Sequence, residues 1–132
     1  MNKAILCVDD EKTILDTLIP QLHEFFGDDF TYEKAESADE ALEILEELSE
    51  DGYKTVLVIS DWLMPGMKGD EFLINVNKKF DGVVKILLTG HAPQQAVQNA
   101  YDKGNLDYYI QKPWTIDDLT VRLEKLKTQL IK

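Results

Sequence analysis

The sequence predicts an α/β fold, with a single doubly wound five-stranded parallel sheet wrapped by five helices. Short apolar runs alternate with longer stretches of helical periodicity, without internal repeats or low-complexity segments. Parallel neighbours need crossover connections, which are right-handed, so this alternation favours helices on both faces of the sheet. The 132 residues, 44% of them hydrophobic, suffice for one core, and we interpret residues 1–132 as one domain.

The five predicted strands are the runs 4–8, 30–35, 56–60, 83–88 and 108–111. Three of them are apolar almost throughout, which is typical of strands that are buried on both faces. Cys7 lies inside the first run and has no second cysteine to pair with, so we expect it to pack as a small hydrophobic residue.

The first two helices follow from apolar periodicity and one capping signature. The first has an apolar face formed by Ile14, Leu18, Leu22 and Phe25 or Phe26. Its interior Pro20 should kink it or free a backbone carbonyl. The second begins at the S-x-x-E signature of Ser37 and Glu40. Its apolar stripe comprises Ala41, Leu42, Leu45 and Leu48.

The remaining three helices differ in how much apolar surface they offer. The third carries Phe72, Leu73, Val76 and Phe80 after the Pro65-Gly66 turn and should end before Asp81-Gly82. The fourth, over 94–103, has a weak apolar face, so we expect it to be mobile and to stop at Gly104. The fifth begins near Thr115 and Asp118 and repeats Leu119, Leu123, Leu126 and Leu130.

Composition excludes several functional classes. The chain has 25 acidic and 14 basic residues and a formal charge of −11, which repels nucleic-acid phosphates and anionic lipids. We therefore expect neither direct nucleic-acid binding nor membrane binding. No apolar run approaches the roughly 20 residues that span a bilayer, and no signal-peptide pattern is present, so we expect a cytoplasmic protein.

Polar residues follow four of the predicted strands directly. Asp9 and Asp10 follow the first, Asp61 the third, Thr89 the fourth and Lys112 the fifth. In a doubly wound sheet the carboxyl ends of the strands form the ligand-binding edge, so these side chains should converge. Clustered carboxylates repel one another unless a cation neutralises them, and magnesium suits two carboxylates with carbonyl and water oxygens.

A carboxylate in such a cluster can act as a nucleophile toward a phosphoryl group and form an acyl phosphate. Asp61 is the candidate for that role. Phosphoryl transfer asks a protein mainly for positioning and for charge neutralisation, which Lys112 and Thr89 can provide.

With these motifs the chain resembles bacterial response-regulator receiver domains over essentially its whole length. The residues that carry the resemblance are Asp9-Asp10, the segment 61–69 (DWLMPGMKG), Thr89-Gly90 and Lys112-Pro113. Their order and approximate spacing match the family pattern. The resemblance implies a flavodoxin-like (βα)5 fold and a phosphoacceptor switch in a two-component system or phosphorelay.

The resemblance also implies roles for individual residues at the site. Asp61 is the phosphoacceptor, and it coordinates Mg²⁺ (or Mn²⁺) with Asp10 and the backbone carbonyl of Leu63. Asp9 acts through a metal-bound water. The domain catalyses its own phosphorylation and dephosphorylation and is not a turnover enzyme on other substrates.

Further implications concern switching. Lys112 pairs with the phosphoryl group, and Thr89 hydrogen-bonds the same group. The resemblance also implies that the Lys112-Pro113 bond is cis. Thr89 and Tyr109 form the switch pair, which shifts the face made by the fourth helix, fifth strand and fifth helix.

The implied partner is a histidine kinase or a histidine phosphotransfer protein, followed by an output domain or partner protein. By the same resemblance, the docking surface for the phosphodonor comprises Ile14, Leu15, Leu18, Pro113 and Trp114. The residues leave open whether the receiver stands alone or belongs to a longer chain.

Two other functions can be compared with this one. An enzyme of the haloacid-dehalogenase type also uses an aspartyl phosphate, but it carries D-x-D after the first strand, where this chain has Asp9-Asp10-Glu11. A degenerate receiver would bind partners without phosphorylation, which the full set of site residues argues against. Nucleotide-binding motifs of the G-x-G-x-x-G or Walker type are missing after every predicted strand.

Overall fold

The computed structural model describes residues 2–131, with side chains described through residue 130. Within this range five strands alternate with five α-helices, which confirms the predicted order. The elements are β1 Asn2–Val8, α1 Lys12–Phe26, β2 Phe30–Ala35, α2 Ala38–Glu50, β3 Tyr53–Ser60, α3 Gly69–Lys79, β4 Val84–Thr89, α4 Gln94–Gly104, β5 Tyr108–Gln111 and α5 Ile116–Ile131. A short 3-10 turn, Gly27–Asp29, follows α1.

The strands form one parallel sheet in the order β2-β1-β3-β4-β5, so the predicted doubly wound topology is confirmed. The chain steps from β1 outward to β2 and then returns past β1 to β3, which reverses the direction of winding. Loops that leave β1 and β3 therefore part to opposite faces, and a crevice opens at the carboxyl ends of these two strands.

Two apolar clusters pack on the two faces of the sheet because successive strand side chains point in opposite directions. Ile5 and Cys7 of β1 join the cluster under α1 and α5, whereas Leu6 and Val8 join the cluster under α2, α3 and α4. Cys7 is 1% exposed, and burial raises the pKa of its thiol, so it packs as a hydrophobic residue as predicted.

Three strands have bounds that differ from the predicted ones. β1 and β3 begin earlier, at Asn2 and Tyr53, and these two residues pair with each other. β4 begins and ends one residue later than predicted, and Thr89 is its last residue. The extensions arise because backbone pairing continues along a ladder wherever the neighbouring strand is present, whether or not the side chains are apolar. The ladder between β3 and β4 begins at Val84, so Val83 lies outside β4.

The buried stripe of α1 consists of Leu15, Leu18 and Leu22, and the helix continues without interruption through Pro20. Leu15 and Leu18 are 1% and 2% exposed because they pack under the sheet. The expectation that both contribute to a docking surface is therefore wrong, since a partner cannot reach them. Ile14 is half-buried and remains accessible in part.

The end of α4 also differs from the prediction. Gly104 is the last helical residue, and the left-handed conformation that ends the helix belongs to Asn105, with φ of 51°. Gly104 itself is buried against α3, where an added Cβ would make only ordinary contact, 3.4 Å from the backbone nitrogen of Ile74. Asn105 tolerates this conformation, and its side-chain amide donates to Asn77 Oδ1 at 3.1 Å.

Lys85 is a buried cation in the middle layer of the fold. Its side chain, on β4, is 4% exposed, and Nζ donates to the carbonyl of Val83 at 2.8 Å. Burial lowers the pKa of Lys85, although the charge of Asp107 opposes this effect. The folded protein therefore bears the cost of a desolvated ammonium group at neutral pH.

Replacing this cation by an apolar side chain of similar length should stabilise the protein. We expect Lys85→Met to raise the free energy of unfolding by about 1 kcal/mol at neutral pH. The wild type should then gain stability as pH rises from the lowered pKa toward the ordinary lysine value of 10.5, because the unfolded chain binds the proton more tightly. Urea unfolding of both proteins across this pH range checks the prediction. A stability difference that stays constant with pH would contradict it.

None of the helices in the part of the chain that the structure describes has the length and apolar content needed to span a membrane.

Candidate acidic site at the carboxyl ends of the strands

The crevice between β1 and β3 is bounded by three aspartates that follow these strands. The hydrogen bonds of the sheet continue one residue beyond the strands and hold two of these aspartates in place. Asp61 N–H donates to the Val8 carbonyl at 2.9 Å, and Asp9 N–H donates to the Ala35 carbonyl at 3.0 Å. The strand register thus delivers Asp9 and Asp61 to the same edge. The predicted convergence follows directly from the parallel pairing.

Each of Asp9, Asp10 and Asp61 offers a carboxylate oxygen, and the three oxygens lie within 4.8 Å of one another. Asp9 and Asp61 are each 3% exposed, whereas Asp10 is exposed. Carboxylates this close repel one another strongly where water is excluded, so the arrangement requires cationic partners. Oxygen donors of this kind are those preferred by hard divalent cations.

Lys112 is the cation that the protein itself supplies. Its Nζ lies 2.7 Å from Asp9 Oδ2 and 3.4 Å from Asp61 Oδ2, and its side chain is 13% exposed. Three carboxylates and one ammonium leave two negative charges uncompensated within the cluster. A divalent cation would neutralise these two charges, so the residues present fit Mg²⁺ in charge as well as in donor type.

Burial and neighbouring charges affect the pKa values of Asp9 and Lys112 in different ways. Burial raises the pKa of Asp9, and it outweighs the hydrogen bonds from Lys112 and from the Glu11 amide. Burial alone would lower the pKa of Lys112, but the hydrogen bond to Asp9 and the charge of Asp61 outweigh it, so the pKa is raised. Lys112 therefore stays protonated and available as an ammonium donor at neutral pH.

The two oxygens of the Asp61 carboxylate have different surroundings. Oδ1 accepts a 2.7 Å hydrogen bond from the backbone N–H of Trp62, and Oδ2 faces the Lys112 ammonium. The Trp62 amide therefore fixes the rotation of the carboxylate. One oxygen is held by the backbone while the other points toward the cationic side of the crevice.

The loop that follows Asp61 closes tightly on the start of α3. Gly69 N–H donates to the Trp62 carbonyl at 2.9 Å. A Cβ added to Gly69 would lie 2.2 Å from the Asp61 carbonyl oxygen and 2.7 Å from Trp62 Cα, so only glycine fits. Inside the loop, Lys68 Nζ donates to the Met64 carbonyl at 2.9 Å.

Thr89 and Lys112 are joined through the ends of β4 and β5. The Lys112 N–H donates to the Thr89 carbonyl at 3.2 Å, which extends the pairing of Thr89 with Gln111. The Thr89 side chain is fully buried, and its hydroxyl accepts from the His91 N–H at 3.2 Å. Both residues therefore lie at the predicted edge of the sheet.

The other residues predicted from sequence occupy distinct surroundings. Tyr109 is half-buried against the cluster under α2, α3 and α4, on the face opposite to Tyr108. Leu63 lies in the loop two residues after Asp61, and its side chain is 44% exposed. Tyr109 thus contacts the apolar core, whereas the Leu63 side chain lies in the exposed loop.

The segment after Lys112 is attached to α1. The Lys112-Pro113 peptide bond is cis, as the resemblance implies. Pro113 is exposed, whereas Trp114 is half-buried, and its Nε1 donates to Gln21 Oε1 at 2.9 Å. Of the five residues expected to form a docking surface, Ile14, Pro113 and Trp114 are at least partly accessible.

Sequence reasoning did not single out three contributors to the geometry of Asp61. The amide of Trp62 is a backbone group, which no side-chain pattern reveals. Gly69 lies in the segment that was recognised, but its role depends on a close approach that only the folded loop shows. Asp70 resembles any acid that the dipole favours at a helix start, and its bond to the Trp62 indole depends on the loop conformation.

Comparison with known proteins agrees with this geometry. Residues 5–124 match the response regulator receiver domain family. Among curated proteins, the chain is 28% identical over 131 residues to chemotaxis protein CheY-3 of Vibrio cholerae, covering 98% of this chain and 95% of that protein. It is 32% identical over 121 residues to the hydrogenase transcriptional regulatory protein HoxA of Cupriavidus necator, covering 90% of this chain and 23% of the regulator.

The fold is also similar to that of solved receiver domain structures. A CheY-like response regulator receiver domain protein from Methanospirillum hungatei superimposes with a TM-score of 0.82 at 35% identity, covering 98% of this chain and 97% of that one. The chain thus spans nearly the whole of the small chemotaxis protein but about a quarter of the transcriptional regulator.

Proposed function

The chain belongs to the response regulator receiver domain family, and we propose that Asp61 is the residue at which it accepts a phosphoryl group. Receiver domains are signalling modules of two-component systems and not enzymes that turn over a separate substrate. The observation that best supports Asp61 is its buried carboxylate, which is held by the Trp62 amide on one oxygen and faces Lys112 with the other.

The proposed transfer is a displacement at phosphorus. An oxygen of the Asp61 carboxylate attacks the phosphoryl group of a phosphohistidine, an O–P bond forms, and the P–N bond breaks with its electron pair left on the imidazole nitrogen. The Lys112 ammonium balances the negative charge of the transferred oxygens. Hydrolysis by water later releases inorganic phosphate and restores the Asp61 carboxylate.

We include a divalent cation, Mg²⁺ or Mn²⁺, in the proposal. Asp10, Asp61 and the backbone carbonyl of Leu63 would hold it, and Asp9 would act through a water. When bound, such a cation supplies charge neutralisation for phosphoryl oxygens. The close approach of three carboxylates and their two uncompensated charges support this assignment.

Thr89 and Tyr109 form the proposed switch. Thr89 lies at the end of β4 beside Lys112, and its hydroxyl accepts only a backbone amide hydrogen bond from His91 among the described contacts. Movement of that hydroxyl toward a phosphoryl group would leave space that the half-buried Tyr109 ring could occupy. The affected surface would be the face of α4, β5 and α5.

The proposed phosphodonor is a histidine kinase or a histidine phosphotransfer protein. Its docking surface is revised to the accessible residues Ile14, Pro113 and Trp114, because Leu15 and Leu18 are buried. An output domain or a separate partner protein would read the switched face. A cytoplasmic location belongs to the same proposal.

Magnesium binding gives the first test. In a Trp114→Phe background, which leaves Trp62 as the only tryptophan, Mg²⁺ is expected to change the emission, and a chelator should reverse the change. Asp10→Asn should weaken the Mg²⁺ affinity about tenfold or more, because a charged oxygen ligand is lost. Titration followed by tryptophan emission measures both effects.

Glu11→Gln is the matched control, since it removes the neighbouring acidic side chain while keeping the backbone amide that donates to Asp9. It should leave the Mg²⁺ affinity within about twofold of the wild type, because long-range charge effects at an exposed position are screened. Equal loss of affinity in both variants would mean that net charge, and not coordination by Asp10, governs the response.

A further inference from the structure

Asp70 lies in the first turn of α3, and its side chain contacts the residue that follows the proposed phosphoacceptor. Asp70 Oδ1 accepts a 3.0 Å hydrogen bond from Trp62 Nε1, and both side chains are half-buried. The Trp62 ring also packs against the apolar cluster under α2, α3 and α4. The indole is therefore fixed by an apolar contact on its ring and by a charged acceptor at its nitrogen.

Trp62 is held at three points. Its carbonyl accepts from the Gly69 amide at 2.9 Å, its indole donates to Asp70 at 3.0 Å, and its own amide donates to Asp61 Oδ1 at 2.7 Å. The first two contacts come from consecutive residues at the start of α3. They set the orientation of the Trp62 backbone and side chain, and the third contact transmits that orientation to the Asp61 carboxylate.

We propose that Asp70 is a positioning residue for phosphoryl transfer at Asp61, acting through the Trp62 indole. This inference rests on the proposed function of Asp61. The hydrogen bond limits rotation of the Trp62 side chain and so keeps the Trp62 amide directed at Oδ1. With Oδ1 held, Oδ2 keeps its position beside Lys112, and the nucleophile needs less reorganisation before it reacts.

Glu71, the residue after Asp70, distinguishes a contact with Trp62 from a general effect of acidic residues on the helix dipole. Glu71 is also an acid in the first turn of α3 and so interacts favourably with the helix dipole, but it is exposed. Removing Glu71 therefore removes a charge from the same helix end without removing the contact to Trp62. Any effect of Asp70 that Glu71 lacks belongs to the hydrogen bond.

The test measures the rate at which acetyl phosphate modifies the protein, followed by intact mass, under conditions where every variant is fully folded. Asp70→Ala should slow phosphorylation roughly three- to tenfold, as expected for loss of a hydrogen bond to a charged group that positions a nucleophile. Asp70→Asn keeps the acceptor oxygen and should restore the rate to within about twofold of wild type. Glu71→Ala should also stay within about twofold.

A double-mutant cycle identifies the path of the effect. Trp62→Phe keeps the backbone amide and most of the ring but lacks the indole donor. In that background Asp70→Ala should cause no further loss of rate, because the contact it removes no longer exists. An equal loss in both backgrounds would overturn the proposal.

The remaining outcomes separate this inference from the function on which it rests. If the wild type is phosphorylated but Asp70→Ala is modified as fast as Glu71→Ala, Asp70 has at most a structural role and the inference falls alone. If the wild type takes up no phosphoryl group, the function proposed for Asp61 falls, and the inference falls with it.

Discussion

Replacing Asp61 with asparagine is expected to abolish phosphorylation. The amide lacks the negative charge that makes the carboxylate a nucleophile toward phosphorus, so the rate should fall by more than about a thousandfold. Intact mass after incubation with acetyl phosphate and Mg²⁺ measures this directly: the wild type should gain one phosphoryl group, and Asp61→Asn should gain none.

The fold is expected to survive this change. The asparagine Oδ1 can still accept from the Trp62 amide, and Lys112 keeps its 2.7 Å contact with Asp9. One carboxylate fewer also relieves repulsion within the cluster, so stability in urea should equal or exceed that of the wild type. Loss of phosphorylation would then report on chemistry and not on unfolding.

Asp10→Asn serves as the control for this substitution, since it removes the same charge from the cluster but leaves the nucleophile in place. It should slow phosphorylation while still permitting a gain of one phosphoryl group after long incubation. If Asp61→Asn gains a phosphoryl group at a similar rate, another residue is the acceptor, and peptide mapping would identify it.

Gly69→Ala is expected to produce the largest change in stability. The new Cβ would lie 2.2 Å from the Asp61 carbonyl oxygen, and that oxygen already accepts a 2.8 Å hydrogen bond from the buried hydroxyl of Ser60. The Asp61 backbone is tied to the sheet by its N–H, which donates to the Val8 carbonyl, so the loop must shift instead. We expect the free energy of unfolding to fall by about 2–4 kcal/mol, measured by urea unfolding.

The same shift should impair the site. Moving the loop away from the Asp61 carbonyl disturbs the Gly69–Trp62 hydrogen bond, and with it the Trp62 amide that holds Asp61 Oδ1. Phosphorylation should therefore slow even under conditions where the variant is folded.

Gly90→Ala is the matched control for steric effects, because its added Cβ would make only ordinary contact, 3.5 Å from the Lys112 carbonyl oxygen. We expect its stability to change by less than about 0.5 kcal/mol. If Gly69→Ala proves as stable as Gly90→Ala, the loop accommodates a side chain at residue 69, and the close approach to Asp61 does not constrain it.

The amino-acid sequence alone determined the fold class, the order of the elements and the residues at the edge of the sheet. Alternating apolar runs and helical stripes suffice for this prediction, because packing on both faces of the sheet imposes a local periodicity of apolar residues that can be seen in the sequence. Once the strands are parallel, residues such as Asp9 and Asp61 must meet at their carboxyl ends.

Features that depend on long-range packing were decided only by the tertiary structure. Periodicity predicts Leu18 on the apolar face of α1, and the resemblance adds Leu15 and Leu18 to a docking surface, but whether such residues face the core or a partner depends on how the helix rotates against the sheet. A glycine predicts a helix stop at Gly104, whereas α4 includes Gly104 and ends at the left-handed Asn105, whose side-chain amide donates to Asn77 of α3, a neighbour distant in sequence.

The geometry around Asp61 likewise exists only in the folded loop. The Trp62 amide, the absence of a Cβ at Gly69 and the contact between Asp70 and the indole have no periodic signal, because each depends on the path of one irregular segment. The sequence thus predicts which charged residues meet at the site. Their orientation was set by backbone hydrogen bonds and close contacts that arise only when the loop closes on α3.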